Sequence, residues 1–184
     1  LRPAASIGVA IYPENGQEPG ELLQNADAAM YEAKRSGRCT YRFHDPEMNQ
    51  TARVRLAVQD DVRRGLRTQQ FELHWQPIVT AQDMRIVRAE ALLRWNRGGA
   101  EVAPESFLPL VENSPIAYEL GQWVARTTAG SVSRYREELP EGFAVSINVA
   151  ASEIVEPRFV QRLLGDLREE HEALNLVEVE VTES

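Results

Sequence analysis

Cys39 is the only cysteine in the sequence. A single cysteine excludes an internal disulfide framework and fits a reducing compartment. Basic charge is short as well: 20 Lys and Arg stand against 28 Asp and Glu, a formal net charge of −8. That balance argues against a domain that binds nucleic acid polymers, which usually shows a basic patch. No apolar run approaches the roughly 20 residues needed to span a bilayer, so no membrane contact is expected from this segment. No signal-peptide pattern stands at the start. The chain opens on "LRPAASIGVAIYP", which reads as the interior of a domain. The expected setting is cytoplasmic, with room for a membrane anchor upstream in a longer parent. Internal repeats and low-complexity segments are lacking too. What is present is a composition 43% hydrophobic, enough for a packed core.

The organisation changes near residue 46. Residues 1–46 read strand, loop, helix, strand. "SIGVAIY" is rich in β-formers. "ELLQNADAAMYEAKRSG" places Leu22, Leu23, Ala26, Ala29, Met30 and Ala33 on one helical stripe, and Gly37 stands where a stop is expected. "RCTYRF" is a short closing strand. Fewer than 50 residues with so few elements do not make a core alone, so this part reads as the tail of a larger domain. Residues 47–66 carry Val54, Val58, Val62 and Leu66 four apart and predict a connecting helix. From 67 to 184 the pattern alternates. "FELHWQPIV" and "IVRAEALLRW" read as strands, and "NRGGAEVAP" as a loop. "ESFLPLVEN" and "AYELGQWVARTTAGSVSRYREEL" read as helices. "FAVSINVAA" is a strand, "EPRFVQRLLGDLREEH" a helix and "LVEVEVTE" a strand. Apart from the opening pair this is β/α alternation, which predicts an α/β fold with a mostly parallel sheet and helices packed outside.

The word "RAEALLRW" raises a question. An apolar strand that carries Glu90 needs a partner for it, because an unpaired buried carboxylate costs several kcal/mol or gives up its charge. Strand parity points to one. Glu90, Leu92 and Arg94 share a face, and Ala89, Ala91, Leu93 and Trp95 take the other. Ser146 and Asn148 oppose Val145, Ile147 and Val149. Glu178 and Glu180 oppose Val177, Val179 and Val181, and Gln76 opposes Trp75. The polar face recurs toward the strand C-terminal ends, where a β/α barrel carries its active site. Glu90, Asn148 and Glu180 at matching depths form a set of oxygen donors, which favours Mg²⁺ or Mn²⁺ over zinc. Other readings stand beside this one. A lone Glu on a strand is often at an exposed edge, and a lone Asn is often a turn or cap residue. Glu178 shares parity with Glu180, and only the position nearer the strand end favours Glu180. Glu183 lies past the strand, where it supports a loop or is solvated. His74 reads as packed or hydrogen-bonded, and His44 and His171 as surface residues.

These words carry a resemblance. "EALLRW", "FELHWQPIV", "PESFLPLVE", "LGQWV", "SINVAASEI" and "VEVTES" resemble the EAL domains, phosphodiesterases of cyclic di-GMP, in order and spacing. The resemblance implies a partial, modified β/α (TIM-like) barrel whose first strand is antiparallel to the rest. It implies hydrolysis of one phosphodiester of cyclic di-GMP to linear pGpG at a two-metal site. Carried over, Glu90, Asn148 and Glu180 bind metal and Glu183 supports a catalytic loop. Arg94 binds a substrate phosphate, and Gln76 and Leu92 belong to the substrate pocket. Ala150 replaces the usual Ser, and Pro115 a common Gly; neither change removes a ligand. Some EAL domains have lost catalytic residues and act as cyclic di-GMP receptors, which is the alternative.

"SIGVAIYP" and "NADAAMYEAKRSGR" resemble the C-terminal end of a GGDEF domain, the diguanylate cyclase fold. Lys34 and Arg38 match positions that contact nucleotide phosphates there. Four apart, they face one way if the helix or its cap includes both; without the rest of that domain they read as a solvated basic patch. Cys39 replaces the usual Asn. The family's further acids and catalytic Lys, expected after the fourth EAL strand, are not among these residues. The whole is expected to be a piece of a GGDEF–EAL signalling protein, inactive alone, with a homodimer of the parent compatible with the resemblance.

Overall fold

The computed structural model describes residues 5–154, 157–168 and 175–182. The chain forms two compact units, Leu1–Val58 and Gln59–Ser184.

In the first unit, β1 (Ile7–Val9) and β2 (Tyr41–Phe43) pair in parallel, with Ile7 opposite Tyr41, and α1 (Pro19–Arg35) connects them. Gly8 is required by close approach. A Cβ there would lie 1.9 Å from the Ala26 carbonyl oxygen and 2.2 Å from the Met30 nitrogen. The helix stripe holds through Ala29 and Ala33, which are fully buried, but Leu23 is 73% exposed. One residue turns a helix by about 100°, so Leu22 and Leu23 do not share the narrow face that meets β1. Asn25 takes a buried place instead. Its amide donates to the Asn15 carbonyl and its Oδ1 accepts from Asn49. His44 is not a surface residue: both ring nitrogens are shielded and have no hydrogen-bond partner. His171 lies outside the described residues. The helix predicted to follow forms as α2 (Pro46–Arg67). Val62 is fully buried, whereas Val54 is 47% exposed. Each four-residue step precesses about 40° around a helix, and two steps carry Val54 off the stripe.

The second unit is built on a sheet in the order β3 (Phe71–Val79), β4 (Ile86–Arg97), β6 (Ala144–Ala150), β7 (Val177–Thr182). β3 is antiparallel to β4, and β4, β6 and β7 run parallel. Helices α3 (Pro104–Val111), α4 (Pro115–Tyr135), α5 (Ala151–Ile154) and α6 (Phe159–Arg168) complete it. This is the partial β/α architecture expected, with its antiparallel first strand. The Gly98-Gly99 stretch is more than a loop. Both glycines have positive φ, 62° and 85°, as a two-residue hairpin turn requires, and the chain returns as β5 (Ala100–Val102) against β4. Pro115 occupies the first turn of α4, where the missing N–H has no intrahelical partner to lose. Gly130 does not interrupt that helix.

Strand parity sorts the two sheet faces. Ala89, Ala91, Val145, Ile147 and Val149 are buried against Ala125, Ala129 and Val132 of α4 and Leu167 of α6. Phe71 stacks on Trp95 at 5.2 Å between centroids, and Phe107 meets the Trp95 edge at 4.9 Å. Gly65 lets α2 close on this cluster, since a Cβ there would stand 2.8 Å from the Phe71 ring. The aromatic cluster packs the C-terminal end of β4 against the start of β3, where Phe71 pairs with Trp95.

Candidate functional site

The inward face is polar on every strand, because its residues are those the helices do not cover. On β4 it carries Arg88, Glu90, Leu92 and Arg94. Antiparallel pairing sets Gln76 opposite Glu90, His74 opposite Leu92 and Glu72 opposite Arg94. Directly paired residues share a face, so Gln76 and Glu90 project together. On the other side Glu90 pairs with Ser146, and Ser146 with Glu178. Asn148 pairs with Glu180.

This register corrects one expectation. Glu90 is not level with Asn148 and Glu180; it is level with Ser146 and Glu178, one pleat repeat lower. The site closes diagonally instead. The Asn148 side-chain amide donates to Glu90 Oε1 at 2.6 Å, which leaves Asn148 Oδ1 turned away from that contact. Glu180 stands beside Asn148 on the same face. Glu178 is engaged elsewhere: it forms an ion pair with Arg88, which reaches it from β4 across β6. Glu183 lies outside the described residues.

Arg94 is three-quarters buried, with 24% of its side chain exposed. Its Nε lies 3.3 Å from a carboxylate oxygen of Glu101 on β5, and Nη1 donates to the Leu93 carbonyl at 2.8 Å. Glu101 was not legible as a partner, because its strand read as a loop. His74 makes a 3.3 Å contact with Glu72, the hydrogen-bonded role expected of it. Gln76 is exposed and Leu92 half-buried. In the first unit Lys34 lies in the last turn of α1, but the helix ends at Arg35 and Arg38 has φ 60°. The two are therefore not on one helical face. Both are exposed.

Behind the sheet, a cavity of about 660 Å³ lies among β4, β6 and helices α3 to α6, lined in part by Leu93, Leu108, Tyr118, Ile147, Glu153 and Arg162. Burial pushes the Glu153 carboxyl up from its ordinary value, Glu112 adds to the rise, and Arg162 opposes it. Arg162 also stacks over the Tyr118 ring at 4.4 Å. Among the described residues no group of three or more His, Cys, Asp and Glu is placed to hold a metal ion, and no helix is long and apolar enough to cross a membrane.

Comparison with known proteins gives two matches in chain order. The GGDEF domain of diguanylate cyclases matches residues 1–40, and the EAL domain matches residues 59–184. The bifunctional diguanylate cyclase/cyclic di-GMP phosphodiesterase MucR of Pseudomonas aeruginosa is 36% identical over 186 residues, all of this chain and 27% of that protein. The cyclic di-GMP phosphodiesterase PdeR of Escherichia coli is 30% identical over 184 residues, 98% of this chain and 27% of that protein. The solved structure "PaMucR Phosphodiesterase, c-di-GMP complex" superposes with a TM-score of 0.64 at 26% identity, over 70% of this chain and 52% of that one. This chain spans about a quarter of the length of these curated relatives. From residue 59 to residue 184 it belongs to the EAL domain family, and the end of a GGDEF domain precedes that segment.

Proposed function

We propose that residues 67–184 are the N-terminal part of a cyclic di-GMP phosphodiesterase domain, joined by a helix over 47–66 to the end of a GGDEF domain over 1–46. The observation that carries this is the Asn148–Glu90 contact at 2.6 Å, with Glu180 beside Asn148 on the same face. Two carboxylates and an amide oxygen on one wall are a hard donor set that fits Mg²⁺ or Mn²⁺. Glu90, Asn148 and Glu180 would hold the ion, which when bound would supply water activation and an offset to phosphate charge.

The chain's own residues do the rest. The Asn148 amide fixes one oxygen of Glu90 and so orients the carboxylate. Arg94 binds a phosphate oxygen of the substrate, for which it exchanges its contact with Glu101. Gln76, paired with Glu90, lines the floor, and Leu92 gives the substrate an apolar contact. Hydrolysis adds water across one P–O bond of cyclic di-GMP: the hydroxyl goes to phosphorus and the proton to the leaving ribose oxygen, giving linear pGpG. The test is Mn²⁺-dependent conversion of cyclic di-GMP to pGpG by the full-length protein. Conversion lost in Glu90→Gln supports the reading. Binding of cyclic di-GMP without hydrolysis in the unsubstituted protein would replace the enzyme by a receptor.

A further inference from the structure

Ser146 lies on β6 two residues before Asn148 and on the same face. It is 4% exposed, and its hydroxyl oxygen is shielded and has no hydrogen-bond partner. Buried hydroxyls are seldom left so. Its register neighbours are two acids, Glu90 on β4 and Glu178 on β7. Adjacent strands lie roughly 4.8 Å apart, so on a shared face either carboxylate is within the hydroxyl's reach. Arg88 decides between them. It stands opposite Ala144 on β4, yet its guanidinium meets Glu178 two strands away. The side chain therefore crosses β6 on the face that carries Ser146. Glu178 is thus matched with a cation. Glu90 accepts from Asn148 and keeps further acceptor sites, since a carboxylate has about four.

We propose that Ser146 is a positioning residue for the metal centre: its hydroxyl donates to the Glu90 carboxylate and, with the Asn148 amide, fixes the oxygen that Glu90 turns to the cation. This rests on the metal-centre reading above. Outer partners of this kind orient metal ligands, and losing one typically lowers metal affinity by about 10- to 100-fold. Glu90 keeps its bond from Asn148 when Ser146 is changed, so the lower end of that range applies here.

The experiment is calorimetric titration of the full-length protein with Mn²⁺, without substrate, alongside thermal melting. Ser146→Ala should raise the Mn²⁺ dissociation constant about tenfold with its melting temperature retained. Ser146→Thr, which keeps the hydroxyl, should bind as the unsubstituted protein does. Ser133→Ala is the control, because Ser133 on α4 also has a shielded hydroxyl without a partner; it should leave Mn²⁺ binding unchanged. Unchanged affinity in Ser146→Ala, or equal loss in the Ala and Thr variants, overturns the proposal while the metal centre stands. No Mn²⁺ binding by the unsubstituted protein overturns the metal centre itself, and this proposal with it.

Discussion

The acids on one sheet face are handled in two ways. Glu90 and Glu180 neighbour Asn148, the first by a diagonal hydrogen bond and the second by register, and no basic side chain is paired with either among the described residues. Glu178 is paired with Arg88. All three acids share parity, and Glu90 and Glu178 even share a level. An acid with an internal counter-ion has no need of a cation, and an acid that meets only an amide keeps its charge available for one. The difference between Glu90 and Glu178 therefore lies in Arg88, which reaches Glu178 across β6.

Several substitutions would break or sharpen that contrast. The largest effect belongs to Glu90→Gln in the full-length protein. Losing a metal-directed charge removes several kcal/mol of transition-state stabilisation, which is about 10²- to 10³-fold in turnover. Cyclic di-GMP hydrolysis read by product chromatography checks it, and normal turnover would erase the distinction between Glu90 and the arginine-paired Glu178. Next comes Glu101→Gln, which releases Arg94. Glu101 is 62% exposed, which leaves the pair partly screened and worth about 1 kcal/mol at most, so KM for cyclic di-GMP should fall by no more than about fivefold, with kcat retained. A rise in KM would mean that Glu101 orients Arg94 for the phosphate rather than competing with it.

A third acid, Glu153, lies behind the sheet and is handled by burial. Its pKa is raised, first by desolvation and then by Glu112. The neutral form is the one the fold favours. Its contribution to stability is present in full below the ordinary carboxylate pKa and is lost as pH rises through the raised folded value. Glu153→Gln keeps a neutral group at every pH. Its melting temperature should match that of the unsubstituted chain below the ordinary carboxylate pKa and exceed it increasingly toward neutral pH. A constant offset would mean the carboxyl is not titrating against its burial. The smallest effect is expected of Glu178→Gln. Its pair with Arg88 is half exposed, with 51% and 43% of the two side chains accessible, and such pairs are worth about 0–1 kcal/mol. Turnover should stay within about fivefold. A loss equal to that of Glu90→Gln would make the two acids equivalent.

The sequence by itself determined the alternation of faces and the residue types on each. Val145, Ile147 and Val149 against Ser146 and Asn148 is a pattern of period two, and pleating carries it into space without help from the rest of the chain. The same local logic indicated the long helices and the stop near Gly37, while the antiparallel start was legible only through the family resemblance. Tertiary structure alone decided which polar residues meet. Register put Glu90 level with Ser146 and Glu178 rather than with Asn148 and Glu180. A long arginine side chain crossed a whole strand to claim Glu178, and a hairpin at Gly98-Gly99 brought Glu101 to Arg94. Parity is fixed by neighbours one and two residues away, whereas register and ion pairing depend on residues up to 90 positions apart, whose relative placement is set only when the core behind the sheet has packed.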